Sequence, residues 1–289
     1  MVNGDLKPLS QEKMGETKNP VTKLSLRIFT SCVLIGITIY ILFYTTASYF
    51  SLEVLFFIGL ALFEFFTLLL QARVPVYRLS GMVIGAGIPV IVYMELGHTQ
   101  SGEVLFLVLG CLFIFLLQFF RKDHAQSLIA VALTVFGLLY ISWFLSFLIK
   151  MRFLEGGILW IAYLVTVTKT EDIGAYMIGT LLGKHPLAPH ISPKKTVEGT
   201  LGGLFFSMIV SVLWYSHLPL RFSFPHLLVL GLLIGVVGQI GDLSESLMKR
   251  FCNAKDSGAL LPGMGGVLDA VDSILFTAPI FYFHLKLYL

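Results

Sequence analysis

Apolar runs broken by short polar or Gly/Pro-containing stretches recur along the chain and predict helices near 27–45, 48–70, 79–96, 103–120, 126–149, 157–182, 199–216, 225–248 and 268–286. Each run approaches the roughly 20 residues that an α-helix needs to cross a bilayer. The expected fold is therefore all-α, a polytopic integral membrane protein with about nine transmembrane helices. Residues 1–23 are polar, mixing Lys7, Lys13, Lys18 and Lys23 with Asp5, Glu12 and Glu16, and read as a cytoplasmic tail rather than a cleavable signal. Within the first 150 residues the spans are plain Leu, Phe, Ile and Val with short connections; the polar chemistry comes later.

Composition agrees with that pattern. Apolar residues make up 56% of the 289 and charged residues 13%, with a mean hydropathy of +0.87, against roughly 25% charged in soluble domains. No separate soluble domain fits between the spans, and a net charge of +3 gives no sign of nucleic-acid binding. Cys32, Cys111 and Cys252 lack metal-ligand or CxxC spacing and read as free thiols. With a cytoplasmic N-terminus, fifteen basic residues fall on the cytoplasmic side and only Lys150, Arg152, Arg221 and Lys286 on the other, which favours that orientation. It brings two polar loops, about 183–198 and 249–267, to one cytoplasmic face.

Acids in or beside spans need a partner, a water cavity or a metal, because a carboxylate in hydrocarbon costs about 2.5–3.5 kcal/mol even on lenient scales. Glu64 reads equally as a hydrogen-bonded structural residue or a site member. Lys169, Glu171 and Asp172 interrupt the sixth span, either as an internal ion pair or as the wall of a polar cavity, and their clustering favours the cavity. Asp269 and Asp272, spaced i, i+3 at the start of the last span, share one helical face. They read either as acidic first-turn residues or as oxygen ligands for a cation such as Mg²⁺, with Asp242 as a third ligand from a facing helix.

Between those acids, Lys249 and Arg250, then Lys255, Asp256 and Ser257, then a Gly-rich turn through Gly263, Gly265 and Gly266 make an environment suited to phosphate. The other loop carries Lys184, His185, Ser192, Lys194, Lys195 and Thr196. It reads either as a basic surface for lipid headgroups or, at Ser192 and Thr196, as caps for the following helix.

These stretches resemble the phosphatidate cytidylyltransferase family, whose signature is S-x-x-K-R-x₄-K-D-x-G followed by P-G-H-G-G-x-x-D-R-x-D. The chain reads SLMKRFCNAKDSG at 246–258 and PGMGGVLDAVDS at 262–273, preceded by EDIGAY at 171–176, LGKH at 182–185 and SPKKTVEG at 192–199. The likeness covers about residues 160–289. It implies a membrane enzyme that transfers CMP from CTP to phosphatidate, giving CDP-diacylglycerol and diphosphate, in the cell (inner) membrane and as a homodimer. By the same resemblance, residues 151–289 form a catalytic transmembrane region and residues 24–150 a set of supporting helices.

Carried over position by position, the resemblance implies catalytic roles for Lys249, Arg250, Lys255 and Asp256, and substrate binding by Ser192, Lys194, Lys195, Thr196, Ser246, Gly265 and Gly266. It implies Mg²⁺, with room for a second, monovalent cation, on Asp242, Asp269 and Asp272, and a polar cavity at Asp172. Two positions depart from the signature: Met264 stands where the family has His and Ala270 where it has Arg. Neither replacement can donate a hydrogen bond or carry charge as the usual residue does. The rival readings are a CTP-dependent polyprenol or phytol kinase, a catalytically silent paralogue and a transporter. No internal repeat supports the last of these.

Overall fold

The computed structural model describes residues 20–95, 102–120 and 126–289, with the backbone alone at 20–25, 27 and 28. Residues 1–19 of the predicted tail, and Arg121 and Lys122, lie outside the described residues. Helix α1 is Pro20–Tyr44, α2 Ala47–Gln71, α3 Arg78–Met94 and α4 Gly102–Phe119. After these come α5 Ser127–Gly137, a π-helical turn Leu138–Trp143, and α6 Phe144–Arg152. The remaining helices are α7 Gly157–Leu182, α8 Val197–Leu213, α9 Phe224–Phe251 and α10 Val267–Lys286. Within the described residues, each predicted apolar window falls largely on helix.

Among the described residues, six helical stretches are long and apolar enough to cross a membrane, and α3 and residues 29–44 of α1 are shorter apolar helices. Helix α7 has a span's length but carries Lys169, Glu171 and Asp172. Large apolar side chains such as Leu105, Leu109, Leu112 and Phe113 on α4 are exposed, a surface fit for hydrocarbon rather than water. The buried apolar side chains form one continuous cluster that includes Trp160, Tyr163, Phe65, Phe66 and Phe281.

Helix α10 is the hub. It packs on α2, α6, α7 and α9, and 67% of its apolar window is buried, against 22% for α8. The helices of the second half approach closely because small residues lie at the crossings. A Cβ on Gly241 of α9 would stand 2.6 Å from the Asp272 carbonyl oxygen of α10, and one on Gly203 of α8 would stand 2.8 Å from the Glu171 carbonyl oxygen of α7.

The predicted loop around 183–198 contains structure that apolar periodicity could not show. Strands β1 Pro186–Ala188 and β2 Ser192–Thr196 pair antiparallel as a small hairpin. Thr196 then ends the strand and begins α8, its hydroxyl accepting from Gly199 N at 3.1 Å, as an N-cap does.

Candidate active site at the loop end of the bundle

Helices α7 and α9 finish, and α8 and α10 begin, at the same end of the bundle. Arg250 joins the two loops there: its Nε donates to the Ile191 carbonyl in the hairpin at 3.0 Å, and its Nη1 to the Ala254 carbonyl at 3.2 Å. Arg250, read from sequence as catalytic, thus uses its guanidinium on main chain.

Two polar clusters lie beneath those loops. In the first, Lys195 pairs with Asp242 at 2.5 Å, and Ser246, one turn along α9, reaches Asp242 at 3.4 Å. Lys169 reaches both Asp172, at 3.0 Å, and the Ser273 hydroxyl, at 2.8 Å. The charges of Lys169, Asp242 and Asp172 act on Asp272, and those of Asp172, Lys195 and Asp242 on Glu171, so four carboxylates share one neighbourhood with two lysines. Gln239 ties Glu171 Oε1 to the start of α8, donating to it at 2.7 Å and to the Thr200 carbonyl at 3.0 Å.

The second cluster centres on Lys249, whose ammonium bridges Glu245 one turn back on α9 and Asp269 of α10, the latter at 2.6 Å. Asp269 is the third residue of α10 and reaches back as a cap. Its Oδ2 accepts from Gly266 N at 2.8 Å, Ser257 N at 2.9 Å and Ser257 Oγ at 2.8 Å. Asp269 and Asp272 share a helical face, as predicted, yet they serve different clusters. Glu245, fully buried, feels both.

Glu64 enters from α2. Its Oε2 accepts from Leu268 N at 2.9 Å and from Ser257 Oγ at 3.4 Å. Glycine at 258 leaves room for that carboxylate, since a Cβ there would lie 2.5 Å from Oε1. The intervening turn closes with Leu261 and Gly265 exchanging backbone hydrogen bonds, and it needs positive φ at Gly263 (79°) and Gly265 (108°). Met264, at the position of the family's His, turns to α1, where Ser31 Oγ lies 3.2 Å from its sulfur; Thr30 Oγ1 donates to the Pro262 carbonyl at 3.0 Å.

The remaining predicted residues lie at the margin. Lys194, Lys255 and Asp256 are exposed, and Ser192 sits in the hairpin opposite Ala188. Sequence reasoning missed Glu245, Gln239 and Ser273, and it read Ser257 as part of a phosphate environment rather than as a donor to Asp269 and Glu64. The signal for Glu245 was present, because it stands four residues before Lys249 on a helix.

An oxygen-rich donor set with more carboxylates than lysines suits a hard divalent cation, and Glu171 Oε2 is buried without a hydrogen-bond partner. The donor chemistry therefore fits Mg²⁺. Among the described residues, however, no three such side chains already converge as ligands; lysines hold Asp172, Asp242, Glu245 and Asp269 instead.

Comparison with known proteins covers nearly the whole chain. The pattern of the cytidylyltransferase family matches residues 25–288. A phosphatidate cytidylyltransferase of Bacillus subtilis is 42% identical over 151 residues, 52% of this chain and 56% of that protein. One from Synechocystis is 52% identical over 120 residues, 41% of this chain and 40% of that protein. An uncharacterized protein of Escherichia coli is 39% identical over 154 residues, 53% of this chain and 51% of that protein. The chain thus spans about half the length of these curated relatives.

Proposed function

Because the chain belongs to the cytidylyltransferase family, we propose that it transfers CMP from CTP to phosphatidate, releasing diphosphate and leaving CDP-diacylglycerol in the bilayer. The observation that carries this reading is the alternation of lysine and carboxylate at the loop end: Lys195 on Asp242, Lys169 on Asp172, and Lys249 on Glu245 and Asp269. Such an array can exchange its internal pairs for the oxygens of two polyanions.

A phosphate oxygen of phosphatidate attacks the α-phosphorus of CTP. The new O–P bond forms as the bond from the α-phosphorus to the bridging oxygen breaks, and diphosphate leaves with that electron pair. The nucleophile is already an anion, so the protein needs no strong base; it aligns the reactants and offsets their repulsion. Lys195 and Lys249, both released from carboxylates when substrate binds, contact the triphosphate. The exposed Lys194 and Lys255 attract anions to the rim, and Arg250 keeps the hairpin over the site.

Asp242 and Asp272, with Asp172 beside them, would hold Mg²⁺. When bound, that ion neutralises charge on the phosphates. Asp269 acts through Lys249, which it orients. The bias of basic residues in the sequence supports a cytoplasmic setting for both loops, where CTP is available, with the lipid arriving sideways from the membrane.

The test is diphosphate release by purified protein in detergent with CTP, phosphatidate and Mg²⁺, beside Asp272→Asn. The expected result is phosphatidate-dependent diphosphate together with a CDP-lipid, both lost in the variant. Formation of CDP and a phosphorylated alcohol from a polyprenol acceptor would instead identify a kinase.

A further inference from the structure

The N-terminal half contributes a second polar group toward the site, through an irregular turn. Tyr140 lies on the π-helical segment Leu138–Trp143, a widened turn of a kind frequent at functional sites. Ser142 of the same segment donates to the Gly85 carbonyl of α3 and fixes it in place. The Tyr140 ring stacks on Phe136, with centroids 5.1 Å apart, and meets Phe276 of α10 at 5.5 Å. Phe276 stands one turn beyond Asp272 on α10, so the ring packs alongside that carboxylate's face of the helix.

Tyr140 is 2% exposed, and its hydroxyl is buried with no hydrogen-bond partner. The charges acting on that hydroxyl are Asp272, Glu245 and Asp242. Glu245 Oε1 is itself buried without a hydrogen-bond partner. An unused donor and an unused acceptor therefore occupy one neighbourhood, although burying either alone is unfavourable. Phenylalanine would fill the same apolar slot without that penalty. The tyrosine's oxygen serves something other than packing.

We propose that Tyr140 is a positioning residue of the site, its one O–H donating to the carboxylate of Asp272 once a divalent cation and nucleotide have drawn the lysines away. This role rests on the reaction proposed above. The donated hydrogen bond holds Asp272 in one orientation while its former electrostatic partners are engaged elsewhere.

Tyr140→Phe removes one oxygen and keeps the ring. Wild type and variant, full-length in detergent, are compared by melting temperature without ligand, by its rise with MgCl₂ alone, and by phosphatidate-dependent diphosphate release across Mg²⁺ concentrations. The variant is expected to melt at the same temperature or higher, to turn over about tenfold more slowly, and to need more Mg²⁺ for half-maximal rate. Wild-type turnover with wild-type Mg²⁺ dependence overturns the role, as does a loss of rate matched by a loss of unliganded stability. If the wild type itself turns over nothing, the reaction reading fails and the MgCl₂ melting shift decides: a smaller shift in the variant upholds Tyr140, and a shift equal in both or absent from both overturns it.

Discussion

Glu64 on α2 accepts a hydrogen bond from the backbone N–H of Leu268 at 2.9 Å across 204 positions of sequence, so a carboxylate from the first half of the chain caps the first turn of α10. Glu64→Ala leaves that buried donor unsatisfied and opens space against Gly258 and Gly266. The expected cost is about 1–3 kcal/mol, read as a lower melting temperature. Glu64→Gln keeps an acceptor and the side chain's volume and should recover most of the loss. Equal melting temperatures for wild type and Glu64→Ala would show that water replaces the carboxylate.

Lys195 and Lys194 are adjacent in sequence but differ in setting: Lys195 pairs with Asp242, while Lys194 is exposed. Lys195→Met removes a cation from the proposed triphosphate contact and should slow turnover by about 10²-fold. Lys194→Ala should raise the KM for CTP by no more than about fivefold, as expected for a solvated charge. Steady-state kinetics on the two variants checks the contrast, and similar effects from both would mean that the hairpin moves over the site as a whole.

Gly241→Ala drives a Cβ toward the Asp272 carbonyl oxygen, 2.6 Å from its ideal position. Because backbone rather than a flexible side-chain tip stands in the way, α9 and α10 must part, at a cost of about 1–3 kcal/mol. Loss of thermal stability together with activity is the expected outcome. A fully active and stable variant would show that the crossing can relax.

Arg250→Lys keeps the charge but loses the fork that reaches the Ile191 and Ala254 carbonyls. The hairpin should become more open to limited proteolysis near Ile191, with turnover reduced less than in Lys195→Met. Unchanged proteolysis with abolished turnover would instead assign Arg250 direct contact with substrate.

Removing divalent cation with a chelator should abolish diphosphate release, and Mg²⁺ should restore it. Asp172→Asn, which alters the acid beside the proposed ion, should require more Mg²⁺ than Lys194→Ala at equal CTP. Turnover that persists in chelator would leave the lysines as the whole of the charge stabilisation.

Where the helices run was readable from sequence because apolar length depends on local composition; α7 spans the predicted residues 157–182, and α9 extends three residues past its predicted end to take in Lys249 and Arg250. The motif acids and lysines were readable too, but their pairing was not. Asp269 and Asp272 share a face by periodicity, yet Asp269 bends back to Gly266 because the free N–H groups of a helix start attract it. The hairpin carries too few residues for a periodic signal. Glu64, Gln239 and Ser273 gained their roles from contacts between distant helices, which single-chain patterning does not encode.

The glycine crossings also bear on motion. Where Gly203 and Gly241 let α8 meet α7 and α9 meet α10, main chain touches main chain, and a step of one helix past its neighbour would drive carbonyls into Cα atoms. The second half of the protein therefore has no soft seam along which to slide. Conformational freedom for admitting a lipid and letting its product go falls to the parts joined by side chains alone: the hairpin held by Arg250, and the outer helix that touches the Pro262–Met264 turn through Thr30 and Ser31.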